Sequence, residues 1–170
     1  PSQLHPSFGA TIIGARPVLI AFNVNLKSGD LGLAKRIAAQ IREASASPHA
    51  LPFCRSLGWK LESSGLVQVS NNLYDYTVTG LHTVYEKVRE LAFGEGANVT
   101  GSELIGLVPE AALRAAGKYF LERLRTSVSN PSNREICETA IQTLNLHDIS
   151  PFNIEDRVIE YLSAKISVED

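Results

Sequence analysis

The residues best suited to chemistry lie in one stretch, FGATIIGARPVLIAFNVNL, from Phe8 to Leu26. Gly9 and Gly14 permit backbone conformations closed to other residues and let amide groups come close to a ligand. Arg16 follows with a forked guanidinium suited to carboxylates. Asn23 and Asn25 then alternate with Phe22, Val24 and Leu26, so two amides share one face of a strand and the apolar side chains share the other. Such a set suits a polar, carboxylate-bearing ligand, with solvation of a sheet edge as the alternative role of the two amides. It is not equipped to make or break bonds by itself.

Other chemistries fail on residue type or spacing. The stretch lacks the Lys-Ser/Thr pair of a nucleotide-binding P-loop, is followed by Pro17, and precedes a strand where that motif needs a helix. His5, His49, His82 and His147 show no metal-ligand spacing, so no metal is expected. There is no GxSxG elbow and no Cys/His nucleophile pattern. His82, beside Leu81, reads as a packed or capping residue at a helix start, and His5 as a residue of the entrance loop. Glu103 on the last strand is a candidate acid or base for the polar face, and Asp75 is a second carboxylate at a strand end. For each, a salt-bridged or solvated role is the plainer reading.

The elements around these residues are legible from periodicity. Of 170 residues, 44% are hydrophobic and 20% charged, which fits one compact globular domain. A net charge of −2 gives no general attraction to nucleic acid or to an anionic membrane. No apolar run approaches a membrane span, no signal-peptide pattern is read at the chain's start, and Cys54 and Cys137 match no disulfide framework. The cytoplasm is the expected compartment.

Pro1 to Ser7 reads as an extended loop, with a strand from about Pro17 to Leu26. Leu33, Ile37 and Ile41 mark a helix ending near Ala46. Two alternating runs around Ser63, Ser64 and Gly65 predict a hairpin with Gly65 left-handed. Leu81, Val84, Tyr85, Val88 and Leu91 predict a second helix after Gly80, stopping near Gly94. A strand over Thr100–Leu107, a helix with Pro109 at its first position, a polar loop over 126–134, a helix over Glu135–Leu144 and a final helix over Glu155–Ala164 complete the chain. This order predicts an α+β fold, a ferredoxin-like βαββαβ antiparallel sheet with helices on one face and a C-terminal helical extension. Asn23, Asn25, Gln68, Ser70 and Asn72 are then candidates for the other face, expected to be a polar wall, solvated or covered by a partner.

Four ordered motifs carry a resemblance that covers nearly the whole chain: PSFGATIIGARPVLIAFNVNL, LGWKLESSGLVQVSNNLYDYTVTGLHTVYEKV, GSELIGLVPEAAL and SPFNIEDRVIEYL. Together they resemble the C-terminal subdomain of glutamate formimidoyltransferase, also found as the transferase part of formiminotransferase-cyclodeaminase. The resemblance implies that residues 1–170 are that subdomain, with the N-terminal subdomain and any cyclodeaminase domain outside this chain. It implies transfer of a formimino group from N-formimino-L-glutamate to tetrahydrofolate as co-substrate, in histidine degradation.

In the family two similar subdomains flank the folate, and the loop corresponding to Pro1, Ser2, Gln3, Leu4, His5, Pro6, Ser7, Phe8 and Gly9 lies along it. The family's catalytic histidine belongs to the N-terminal subdomain, so the resemblance carries no catalytic residue onto this chain. The implied partner is that subdomain, on the same longer chain or a separate one, within a homodimer of complete transferase domains. Arg16, Asn23 and Asn25 stand as possible substrate contacts from face and chemistry alone. A non-catalytic folate-binding or scaffold domain is the alternative reading.

Overall fold

A computed structural model describes residues 3–62, 65–124 and 130–166. Alternating side chains build β1 (Ile20–Leu26), whose Ile20, Phe22, Val24 and Leu26 are fully buried. Asp30 caps α1 (Leu31–Ile41) by accepting from the Gly32 amide at 2.7 Å. A hairpin of β2 (Cys54–Lys60) and β3 (Val67–Leu73) follows, then α2 (Leu81–Gly94) and β4 (Val99–Ile105). Gly65 in the hairpin has φ +69°, the left-handed geometry that its sequence predicts, while Ser63 and Ser64 lie outside the described residues.

The four strands pair antiparallel in the order β2-β3-β1-β4, which is the split βαβ arrangement expected. Register sorts the faces. Phe22 lies opposite Asn71 and Leu104, and Val24 opposite Val69 and Ser102, all beneath α1 and α2. Asn23 lies opposite Ser70 and Glu103, and Asn25 opposite Gln68 and Gly101, on the face without those helices. Asn71, buried on the helix side, satisfies its amide by donating to the carbonyls of Phe22 and Val69. Gly58 of β2 lets α1 approach at backbone contact, since a Cβ there would sit 2.3 Å from the Lys35 amide nitrogen.

The extension consists of α3 (Glu110–Arg123), α4 (Asn133–Thr143), α5 (Ile154–Arg157) and α6 (Ile159–Ile166). It closes the outer edge of β4, where the Ser102 amide donates to the Asn145 carbonyl and the Ser102 hydroxyl to the Leu144 carbonyl. An edge strand is thereby covered.

Several expected boundaries shift. β1 begins at Ile20, not Pro17, because residues 17 and 18 remain exposed and find no strand partner. Helix α1 stops at Ile41, where Arg42 turns extended and its amide closes the last turn onto the Ala38 carbonyl. Pro109 is the N-cap of α3, one position before the helix proper. Asn133 and Arg134 belong to α4, since Ser132 and Glu135 form a reciprocal capping box ahead of the predicted start; residues 126–129 lie outside the described set. The single final helix is instead two, because buried Val158 takes an extended conformation and bridges Val108.

Gly117 marks the closest approach of α3 and α4: a Cβ there would lie 1.9 Å from the Ile136 carbonyl oxygen. Gly117→Ala should therefore lower stability by about 3 kcal/mol or more through forced separation of the two helices. Gly94→Ala, which meets nothing within 4 Å, should be neutral or stabilise by up to about 1 kcal/mol. Urea unfolding of both variants checks the contrast; equal midpoints would contradict the packing.

Candidate functional site

The helix-free face of the sheet is built from alternate residues of all four strands. Its centre is a continuous side-chain hydrogen-bond network. Trp59 Nε1 donates to Gln68 Oε1 at 2.7 Å, and Gln68 Nε2 donates to Asn25 Oδ1 at 2.7 Å and to Glu103 Oε2 at 3.1 Å. Asn23 Nδ2 donates to the same Glu103 oxygen at 3.3 Å. Asn25 Nδ2 donates to Asp148 Oδ2 at 2.8 Å, which also accepts from the Thr100 hydroxyl at 2.6 Å. Asp148 comes from the turn after α4, seated against Gly101, where a Cβ would meet the Asp148 Cβ at 2.5 Å.

This network corrects the expectation of a solvated wall. Asn23, Asn25 and Gln68 are buried, and both polar ends of the Asn25 amide are already engaged within the protein. The physical reason is that amides on neighbouring strands in register meet one another before they meet water, while Gln68 lies under the Trp59 ring edge. Asn25 is thus placed to hold Gln68 and Asp148. Asn23 spends its donor on Glu103 at the rim of the network.

The carboxylate of Glu103, half-buried, is what the network presents outward together with exposed side chains on both flanks: Leu57 and Trp59 on β2 and Ile105 on β4. Trp59, with its indole nitrogen tied to Gln68, is 45% exposed. A polar stripe between apolar margins suits a flat, polar-edged ligand or a second layer of protein.

The segment from Gln3 to Val18 lies exposed and leads into the central strand β1 at the end where Ala21 faces Asn72 and Ile105. His5 to Gly9 closes on itself: the His5 and Gly9 backbones exchange hydrogen bonds at 3.1 and 2.9 Å, and Gly9 has φ +65°. His5 Nδ1 accepts from the amides of Ser7 and Phe8, and its ring stacks on Phe8 at 4.8 Å. Phe8 is held out at 85% exposure. Among the expected ligand residues, Gln3, Leu4, His5, Pro6, Ser7, Phe8, Gly9 and Arg16 are therefore displayed to solvent, Asn23 and Asn25 are buried in the sheet, and Pro1 and Ser2 lie outside the described residues.

The sequence reading missed Gln68 and Asp148 as organisers. Gln68 carried a signal, a long amide at an inward register position; Asp148 carried none, being brought in by a turn far along the chain.

Titratable groups elsewhere are less promising. A cleft of about 750 Å³ lies between α2 and α3, but its charges pair with one another, Glu86 with Arg89 at 2.5 Å and Lys87 with Glu90 at 2.7 Å. His82 there stacks on Tyr119 at 4.5 Å, and burial lowers its pKa against the opposing pull of Glu86. Burial pushes the Cys54 thiol up to about 12 and the Cys137 thiol to about 11, so both are inert.

The formiminotransferase domain model matches residues 21–164. The chain belongs to that family. It is 42% identical over 165 residues to formimidoyltransferase-cyclodeaminase of Rattus norvegicus, covering 95% of this chain and 30% of that protein. It is 44% identical over 114 residues to glutamate formimidoyltransferase of Thermoplasma acidophilum, covering 67% of this chain and 37% of that one. With its counterpart from Streptococcus pyogenes serotype M1 the identity is 38% over 120 residues. The chain thus spans about a third of the length of these curated relatives. No helix among the described residues is long and apolar enough to cross a membrane.

In this member of the family Gln68 serves three partners, and its replacement tests whether the network supports the face. Gln68→Leu should destabilise by about 2–4 kcal/mol, because Asn25 keeps a buried acceptor without a donor. Urea unfolding measures it; a loss below about 0.5 kcal/mol would show that the network contributes little.

Proposed function

We propose that this chain is the folate-binding, C-terminal half of a glutamate formimidoyltransferase, active together with an N-terminal subdomain that supplies the catalytic base. The overall reaction transfers the formimino group of N-formimino-L-glutamate to tetrahydrofolate, in the cytoplasmic degradation of histidine. Family membership supports the transferase class, and the chain's coverage of about a third of its relatives supports a site completed by further protein. The observation that carries the reading is the helix-free sheet face, with an organised polar centre and exposed apolar margins.

The residues present fit a folate. Its flat pterin and aminobenzoyl rings match the exposed Phe8 and Trp59 surfaces, and its glutamate tail matches the exposed Arg16 guanidinium. Bound tetrahydrofolate supplies the nucleophilic amine. This chain's part is to bind, orient and exclude water. Gln3 to Gly9 forms a strap along the ligand, stiffened by the His5–Gly9 turn, and the sheet face closes one wall of the site. Asn23 acts by fixing Glu103, and Asn25 by fixing Gln68. Positioning of two reactants is worth up to about 7–11 kcal/mol of a barrier, which is ample work for a half-site without a base. A homodimer of complete transferase domains is the assembly in which we place it.

Mixing the chain with a separately produced N-terminal subdomain should give formimino transfer that neither part shows alone. Folate binding by this chain without turnover in the mixture would instead identify a non-catalytic binding domain. In the active mixture, Arg16→Ala should weaken folate binding by about tenfold through loss of a charge-assisted carboxylate contact. Calorimetry checks this, and unchanged affinity removes Arg16 from the site.

A further inference from the structure

We propose that Glu103 is the seat for the cationic formimino group of the donor, and so the residue that separates formimino from formyl donors. This rests on the transferase reading above and adds a substrate-selecting role that the reading does not contain.

Glu103 lies near the middle of β4, on the helix-free face, directly opposite Asn23 of β1. Its Oε2 accepts from two amides, Gln68 Nε2 at 3.1 Å and Asn23 Nδ2 at 3.3 Å, whose own side chains are buried. Amides orient a carboxylate without neutralising it. Among the described residues no Lys, Arg or His stands within ion-pair distance of Glu103, and its Oε1 accepts no hydrogen bond. A cleft of about 420 Å³ opens beside it, bordered by Ile105, Gly106, Leu107, Ser150 and Arg157. The Arg157 guanidinium, which also lines this cleft, donates to the carbonyls of Leu104 and Gly106.

A half-buried, oriented and uncompensated carboxylate gains from an incoming cation with directed N–H donors. The formimino group is an amidine. Protonated, it is planar, positively charged and carries its N–H donors in one plane, the geometry by which guanidinium groups meet carboxylates. The formyl group in its place is neutral and offers a carbonyl oxygen that the Glu103 carboxylate repels. One oxygen held by Gln68 and Asn23 leaves the other for the donor, so the network found at the centre of the sheet becomes the support of a charge-selective contact.

The test uses the complete transferase, this chain joined to its N-terminal half, carrying Glu103→Gln. Glutamine keeps an acceptor for Asn23 and Gln68 but removes the charge. The expected result is a rise of about ten- to a hundredfold in KM for N-formimino-L-glutamate. The inhibition constant of neutral N-formyl-L-glutamate should stay within twofold or improve, and affinity for 5-formyltetrahydrofolate should not change. Glu103→Asp should recover part of the donor KM. Unchanged KM in Glu103→Gln, or a parallel loss for both glutamate derivatives, overturns the assignment. Calorimetric binding of N-formimino-L-glutamate to wild type and Glu103→Gln needs no turnover. Absence of transfer by the wild type would thus overturn the activity reading, while equal donor binding by the two proteins would overturn the role of Glu103 alone.

Discussion

A glutamine side chain buried in the middle of a sheet must find partners for every polar atom, and Gln68 finds them on three strands. It accepts a hydrogen bond from Trp59 of β2 and donates to Asn25 of β1 and Glu103 of β4. That requirement couples the strands. A one-residue slip of β3 against β1 would turn Gln68 toward α1 and α2 and Val67 or Val69 toward the open face, with every partner lost. Leaving such groups unpaired costs on the order of 1–3 kcal/mol each, so the polar face specifies register as firmly as the apolar face does. The helix side supplies the bulk of the stability through Phe22, Val24, Leu73 and their neighbours. Its opposite supplies the single arrangement.

The same network explains how a face without helices over it stays ordered. Asp148, delivered by the turn after α4, ties Asn25 to Thr100, and Asn145 holds the edge of β4. The helical extension is therefore part of the site's foundation as well as cover for an edge strand. Trp59, Leu57, Ile105 and Phe8 remain outward, as apolar groups do where a further layer or a ligand is to be received.

Much of the fold was legible because alternation and helical spacing are local. The βαββαβ order, the left-handed Gly65 and the buried faces of α1 and α2 all follow from neighbours a few residues apart. The family was legible from four motifs in order, and the model match over residues 21–164 agrees. The state of Asn23 and Asn25 was not. Side alternation places them on one face, but whether that face is wet depends on Gln68, Glu103 and Asp148, residues 43 to 123 positions away in sequence. The break at Val158 is long-range for the same reason, since its partner Val108 lies on the far side of three helices in the chain, α3, α4 and α5. Local pattern reports which face; tertiary partners decide what the face is for.

Whether the helix-free sheet face is one wall of a site completed by the N-terminal subdomain can be read through Trp59, the single tryptophan of the chain, which stands on that face. The direct measurement is 19F NMR of the chain labelled with 5-fluorotryptophan, recorded alone, with the N-terminal subdomain, and with 5-formyltetrahydrofolate added to both. A shifted Trp59 resonance that loses its solvent isotope effect when the subdomain joins, and shifts again with the folate, is the expected result. An unmoved and solvent-sensitive resonance in a mixture that carries out formimino transfer would place the site elsewhere and contradict the claim.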